Sequence, residues 1–544
     1  MADTAVPHTV NETETGLPQR QGGFVRDFNA YWLAFIAYWG ILLFGYDTGV
    51  AGGVVIQPFF KENFGIADDP KKAADVSSNV VAILQAGAFF GALGSIPVTE
   101  RYGRRNTLFA FSSVFLIGAI LTTIAGGPNG LAEIYAGRIL AGFGIGAISA
   151  VAPALVSECA PKESRGRITG MFQIMVATGV MISYFINYGI ANTGNLKNDA
   201  RVWRVPFGFQ LVPAGIMFIG LFTVKESPRW LMTVGRVEEA HKNLAHYRRL
   251  PLTDDFVVAE LAEIEAAVRE EKEARASVGL KQAFLGKGNW IRFVIAFVIF
   301  FLQQWGGQNS VNYYAPTIFA SIGYRGPQAS LLASGIYGVL KVVATIIFIW
   351  FGVDTLGRKL SFIISSAGMG ICFFIVGALL KTKPPPASNV NDVVPITPAA
   401  QAMAAMLYIY VCFYSMGWGP LPWVYVSDIF PTATRHYGLA LASATQWLFN
   451  FNLTRVTLSM VNTLGYKLFF VFGTMNLGPM LLFSILIPET KGRSLEDMDV
   501  IFGSITPEQR QEDIARREQK IAEGTHGSDE EARASTPSST QEKR

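Results

Sequence analysis

ERYGRRN, residues 100–106, and DTLGRK, residues 354–359, decide the fold. Each puts an acid three residues before a Gly-Arg pair and a second base after it. Each also sits between two long apolar runs, 77–98 and 107–126 for the first, 329–352 and 360–380 for the second. The echo continues downstream: Ser157-Glu158-x-x-Pro161-x-x-x-Arg165 is matched by Ser427-Asp428-x-x-Pro431-x-x-x-Arg435, and KESPRWL (225–231) is partly matched by PETKGRSL (488–495). The offsets are all about half the chain, as duplicated halves related by an axis along a membrane normal would give.

The intervening segments fit that reading. The chain has 544 residues, 50% of them hydrophobic and only 16% charged, against about 25% charged in a soluble domain. A bilayer crossing needs about 20 apolar residues, and runs of that kind fall at 30–54, 77–98, 107–126, 131–152, 168–190 and 206–224, then at 291–316, 329–352, 360–380, 401–426, 437–461 and 467–487. The expectation is an all-α membrane protein of twelve transmembrane helices in two six-helix halves. The segments are an N-terminal tail (1–29), a first half (30–224), linker helices (225–290), a second half (291–487) and a partly disordered tail (488–544). Within the linker, VEEAHKNLAHYRRL and AELAEIEAAVREEKEA alternate charge and aliphatic residues at helical spacing. Basic residues cluster in the loops 100–106, 161–167, 354–359 and 432–436, which by the positive-inside rule puts them, both termini and the linker in the cytoplasm. No cleavable leader is read in the polar first thirty residues, so the first span serves as its own insertion signal. Asn11 and Asn452 open glycosylation-type triplets, but in cytosol and membrane, where neither is used. Cys159, Cys372 and Cys412 have neither disulfide nor metal-ligand spacing.

The acids and arginines at the loop ends form strong, directional and breakable hydrogen bonds. Arg104, Glu158, Arg165, Glu226, Arg358, Asp428, Arg435 and Glu489 therefore read as a cytoplasmic gate, a rim of ion pairs that holds two halves together and releases them. Ionisable residues inside the membrane are functional candidates by default. Asp47 lies about 25 Å up an inside-to-outside helix and Arg138 about 12 Å down an outside-to-inside one; the two depths nearly coincide, so the side chains can pair. Glu133 is a competitor for Arg138 from the outer end. Lys341, near mid-membrane, and Arg455, about 27 Å up its helix, leave an excess of buried positive charge that suits an anion, a neutral lysine or an arginine reaching the headgroups. Gln173, Gln303, Gln304, Asn309, Trp423, Gln446 and Trp447 put hydrogen-bonding amides and flat apolar faces close to one depth, which is costly against lipid and suits a polyhydroxylated ligand. Asn312, Tyr313 and Tyr314 extend the stripe outward, and Gly419-Pro420-x-Pro422 offers a bend.

GRR, PALVSECAPKESRGR, ESPRWL, QQWGGQN, GWGPLPWVYVSDIFP and PETKGRSLED occur in that order across about residues 30–500. Together they resemble the sugar porter family of the major facilitator superfamily. QNSVNYYAPTIF and TRHYGLALASATQWLFNF are most similar to filamentous-fungal members, which include hexose, pentose, quinate and galacturonate carriers. Ala154, Leu155 and Cys159 depart from the family pattern, and Asp428 stands where glutamate is usual. The resemblance implies a proton-coupled symporter that imports a monosaccharide by alternating access. Asp47 would carry the proton, Arg138 would tune it, and the polar stripe would hold the sugar. Alternatives are a sugar-acid or polyol-acid importer (quinate, galacturonate), a facilitative uniporter and a non-transporting sensor. It implies a multi-pass plasma-membrane protein working as a monomer, with lipid, a proton and a small sugar or sugar acid as partners. Neither a cofactor, a metal, nucleic acid nor an enzymatic reaction is expected, since no nucleophile–base pair, metal cluster or phosphate loop is read in context.

Overall fold

A computed structural model describes residues 27–503 except 128, 162–163, 195–197, 278–283, 285, 287, 387–395, 432–433, 492–497 and 499. Both tails beyond those limits lie outside the described residues. Among the described residues the secondary structure is helical throughout, with no strand.

The membrane helices are α1 (Phe28–Val55), α2 (Pro70–Tyr102), α3 (Arg104–Ile124), α4 (Gly130–Cys159), α5 (Arg165–Asn192), α6 (Arg201–Thr223), α7 (Asn289–Ser321), α8 (Pro327–Phe351), α9 (Arg358–Thr382), α10 (Pro398–Ile429), α11 (Arg435–Leu464) and α12 (Lys467–Leu486). Among the described residues, eleven are long and apolar enough to cross a bilayer on length and composition alone. The remaining one, α11, is 30 residues long but carries buried Thr445, Asn450, Thr454 and Thr457. It is polar because it packs between other helices, against α2 and α7. Among the described residues, three shorter helices, Pro228–Thr233, Val237–Arg248 and Asp255–Ser277, join α6 to α7.

Helix α2 begins well before its apolar stretch because Asp69 caps it, accepting from the Lys71 and Lys72 backbone N–H at 2.9 and 3.2 Å, with Pro70 in the first turn. Both residues suit a helix start. Large apolar side chains remain exposed on the outside of the bundle, among them Phe90, Ile117, Ile219, Trp350 and Leu486. That is the surface lipid tails require, since the backbone hydrogen bonds are closed within each helix.

Two helices are broken in mid-course. Helix α7 ends a first segment at Trp305 and restarts at Gln308, with Gly307 at φ +89°, while α10 breaks between Met416 and Leu421. Each break frees carbonyls that lipid could not satisfy, and side chains meet them. Tyr410 Oη and Asn476 Nδ2 donate to the Gly306 carbonyl at 3.1 and 3.0 Å, and Gln303 Nε2 donates to the Trp418 carbonyl at 2.7 Å. The two halves meet along α2 with α11, α5 with α8, and α1 with the second segment of α7.

The decisive motif has a plain mechanical reason. Gly103 and Gly357 each separate two helices at φ +90°, ψ 172° and φ +78°, ψ 169°, a region essentially reserved for glycine. A Cβ at Gly103 would overlap a Glu226 carboxylate oxygen, and one at Gly357 would lie 3.0 Å from Glu489. Gly103→Ala and Gly357→Ala are expected each to cost about 1–3 kcal/mol from backbone strain. The loss is larger at Gly103, where the carboxylate must also move. Thermal unfolding in detergent checks the ranking.

Candidate transport site

The first half is built around one buried ion pair. Arg138 Nη1 donates to Asp47 Oδ1 at 2.9 Å, with both side chains 1% exposed. Gln210 Nε2 from α6 donates to the same oxygen at 2.6 Å. Arg138 is held in place by its Nε bond to the Val80 carbonyl at 3.1 Å and by the Phe207 ring 5.6 Å from its guanidinium. Asp47 Oδ2 and Arg138 Nη2 have no hydrogen-bond partner among the described residues. One carboxylate oxygen thus carries both donors while the other is free, which is where a proton would add. Glu133 does not compete for Arg138: its carboxylate accepts from the Gly126 N–H at 3.0 Å and fastens the loop before α4.

The second half carries a chain of amides. Asn309 Nδ2 donates to Gln304 Oε1, whose own Nε2 donates to Gln303 Oε1 at 3.2 Å. Gln303 and Gln304 are buried and Asn309 half-buried. Because Gln303 Nε2 is engaged by the Trp418 carbonyl, Gln303 braces the α10 break from inside the stripe. Trp423 packs edge-on against Phe300 at 4.6 Å, and Trp447 against Phe44 of the other half at 5.3 Å. Gln173 on α5 and Gln446 on α11 are half-buried, and Gln446 Oε1 is without a donor among the described residues.

Beyond the ion pair, away from the charged loops, the halves touch closely. Tyr184 Oη on α5 donates across to the Asn312 carbonyl on α7, next to Tyr313, whose Oη is held from within its own half by Asn450 Nδ2 at 3.2 Å. With the Gln85 amide turned so that its nitrogen meets the Val81 and Ala82 carbonyls, its oxygen accepts from Tyr313 Oη at 2.9 Å. A Cβ on Gly52 would overlap the Tyr313 carbonyl oxygen, so the backbones of α1 and α7 are in contact there. Tyr313 and Tyr314 are accordingly buried.

At the charged end the duplicated motifs form twin clusters. Arg104 donates to Glu158 Oε1 through Nε at 3.2 Å and Nη2 at 2.8 Å. Glu226 accepts from the backbone N–H groups of Arg104, Arg105 and Ser227 at 3.1, 3.0 and 2.8 Å, and Ser227 Oγ donates to Glu158. In the second half Arg358 lies 3.7 Å from Asp428, Glu489 accepts from the N–H groups of Arg358 and Lys359 at 3.0 and 2.9 Å, and Thr490 Oγ1 donates to Asp428 at 3.1 Å. A carboxylate at a helix N-terminus satisfies N–H groups that have no partner within the helix and opposes the helix dipole. The longer Arg358–Asp428 contact follows from the side chain, since aspartate is one methylene shorter than glutamate.

Burial holds the Glu226 carboxyl above the ordinary glutamate range, against those three N–H bonds. Burial also raises Glu489, but less of it is covered, and its backbone N–H bonds outweigh that and hold it below the range. Each of these gate contacts lies within one half, so in this conformation they fasten neighbouring helices of the same half. Among the described residues the Nε of half-buried Arg435 is without an acceptor, and the Arg165 and Asp354 side chains lie outside the described residues.

Arg455 and Lys341 are not brought together. Arg455 Nη2 lies 3.3 Å from Asp75 of α2, with both side chains exposed. Lys341 is buried and donates from Nζ to Asn312 Oδ1 at 3.3 Å.

Several contributors are not evident from sequence: Gln210, Gln308, Asn476 and Asp75. Gln210 has one sequence signal, as the lone amide in an otherwise apolar stretch, PFGFQLVPAG.

Twelve helices in two halves, a buried charge pair in one and broken helices bearing amides in the other define a class: a membrane transporter of the major facilitator fold. The family model for "Sugar (and other) transporter" matches residues 33–502, and the chain belongs to that family, the sugar porters. It is similar to a probable quinate permease of Aspergillus fumigatus, 37% identical over 487 residues covering 88% of each chain. It is also similar to the quinate permease of Neurospora terricola, 37% identical over 485 residues covering 88% of this chain and 89% of that one. Among solved structures it resembles the proton:xylose symporter XylE bound to 6-bromo-6-deoxy-D-glucose, with TM-score 0.71, 29% identity, and coverage of 88% of this chain and 100% of the other. It matches the partially occluded inward open conformation of XylE from E. coli with TM-score 0.71, 27% identity, and coverage of 86% and 100%. These relatives are carriers, and this chain is a transporter, not an enzyme.

Proposed function

We propose that the chain imports a monosaccharide-sized polyhydroxylated substrate together with a proton by alternating access, across the plasma membrane into the cytoplasm, with the charged loops and both termini on the cytoplasmic side. The observation that carries this reading is the Asp47–Arg138–Gln210 cluster, in which Asp47 Oδ2 is free. Ionised Asp47 holds Arg138 on α4. Protonated Asp47 releases it, and Arg138 keeps the Val80 carbonyl and the Phe207 face. The cluster lies one to two helical turns along α1 from Gly52, where the halves touch, so its charge state bears on whether they stay closed there. Gln173, Gln304, Asn309, Trp423, Gln446 and Trp447 hold the substrate, and Gln303 positions the α10 break. The resemblance to a proton:xylose symporter supports the coupling.

The reading is tested in proteoliposomes under an imposed pH gradient. Uptake that rises above the external concentration supports it. Uptake that stops at equal concentrations, whatever the gradient, contradicts it.

A second reading, that the cargo is a hydroxy acid, is favoured by the quinate permeases among the relatives. Arg455 does not bear on that choice, because Asp75 occupies its guanidinium and tethers α11 to α2. An exposed pair of this kind contributes about 0–1 kcal/mol. Arg455→Gln is therefore expected to change uptake of neutral and acidic substrates alike and by less than about fivefold. Paired uptake assays with galactose and galacturonate check it.

A further inference from the structure

Lys341 is a buried basic residue that the coupling mechanism does not use. It is 2% exposed, and no carboxylate lies within ion-pair distance of it among the described residues. An ammonium has three protons to donate and no capacity to accept. Here its hydrogen-bond acceptor is Asn312 Oδ1, and the Tyr414 ring lies 5.9 Å from Nζ. The same oxygen is already approached by Gln308 Nε2 at 3.0 Å and Tyr337 Oη at 3.5 Å. Three donors thus converge on one amide oxygen. Beside them Gln308 Oε1, on a residue 1% exposed, has no donor among the described residues.

We propose that Lys341 receives the carboxylate of a polyhydroxylated acid substrate, with Gln308 and Asn312 taking its hydroxyl groups. The cluster lacks one strong acceptor, which a carboxylate supplies, and one donor, which a hydroxyl supplies. A neutral sugar answers only the second need. The position is also right: Asn312 follows Asn309 by three residues, so the two are neighbours along the α7 surface. Asn309 continues into the Gln304–Gln303 chain. A substrate held by that chain therefore extends its acid group toward Lys341. This rests on the carrier reading above and adds the substrate's charge to it.

The test is equilibrium binding to the full-length protein in detergent at neutral pH, followed by tryptophan fluorescence. The probes are quinate against its methyl ester and galacturonate against galactose. Wild type is expected to bind each acid at least tenfold more tightly than its neutral counterpart. Lys341→Gln is expected to erase that preference while neutral binding stays within about twofold, and Lys341→Arg to retain part of it. Retained neutral binding also shows that the variant is folded.

If wild type binds the neutral probes as tightly as the acids, Lys341 is a structural strut between α8 and α7, and the proposal is wrong while the carrier reading stands. The proposal is equally wrong if Lys341→Gln weakens binding of acids and neutral probes to the same extent. If wild type binds neither class, the cargo named under the proposed function falls and this proposal with it, while membership of the transporter family stands. Binding needs no gradient, so failure of proton coupling elsewhere leaves the result interpretable.

Discussion

Replacing Asp47 with Asn is expected to abolish uphill uptake while leaving exchange of substrate for substrate in place. Asparagine preserves the shape and can still meet Arg138 and Gln210 through its amide oxygen, but it cannot alternate between charged and neutral forms. A gradient of one pH unit stores about 1.4 kcal/mol per proton, which allows roughly tenfold accumulation if one proton accompanies each substrate. Asp47→Asn is expected to reduce that ratio to one. Radiolabelled uptake and counterflow in the same proteoliposomes separate the two activities. Asp47→Ala is the harsher change, because it leaves a buried arginine without its partner, a loss of about 3–5 kcal/mol. That variant is expected to lose folded protein as well as coupling.

Gly52→Val is expected to stop net transport by more than tenfold, for a different reason. The side chain would have to occupy the space of the Tyr313 carbonyl oxygen. A backbone contact cannot yield as a flexible side chain can, so α1 and the second segment of α7 must separate. The carrier is then held open on the side away from the charged loops. Substrate binding from that side is expected to survive, and labelling of a cysteine placed near Asn450 to increase. Unchanged transport would mean that this approach is not part of the cycle. Both variants act on α1, and together they separate the charge that drives the cycle from the contact that closes it.

Much of this architecture is legible in the sequence because charge is conspicuous in an apolar chain. GRR and GRK, the acids ahead of them, and the Glu158 and Asp428 repeats mark the loop ends directly, and the residues they mark do meet within each half. Helix α11 is readable as a span despite its polar residues, since apolar residues still outnumber polar ones along a helix of 30 residues. Asp47 and Arg138 are legible because two opposite charges at one depth in a membrane have few alternatives.

Uncharged groups are harder. Gln210 and Gln308 look in sequence like any amide bonding one helix to another, and only the fold shows which oxygen each one meets. The role of Gln303 depends on a break in α10, more than a hundred residues away. Matched motifs likewise reveal that acids and arginines recur, but not whether partners belong to one half or to two. The gate contacts stay within one half because each acid ends a helix beside the glycine corner of its own repeat. Asp75 is hidden because it precedes the apolar part of α2, where the Asp69 cap extends the helix past the hydrophobic run.

The most direct test of coupling is to count protons. A pH-sensitive dye sealed inside proteoliposomes, with substrate added outside and no gradient imposed, is expected to report acidification that scales with substrate taken up, at one proton per molecule, and that vanishes in Asp47→Asn. Substrate entry at the normal rate with no change in internal pH would contradict proton coupling through Asp47.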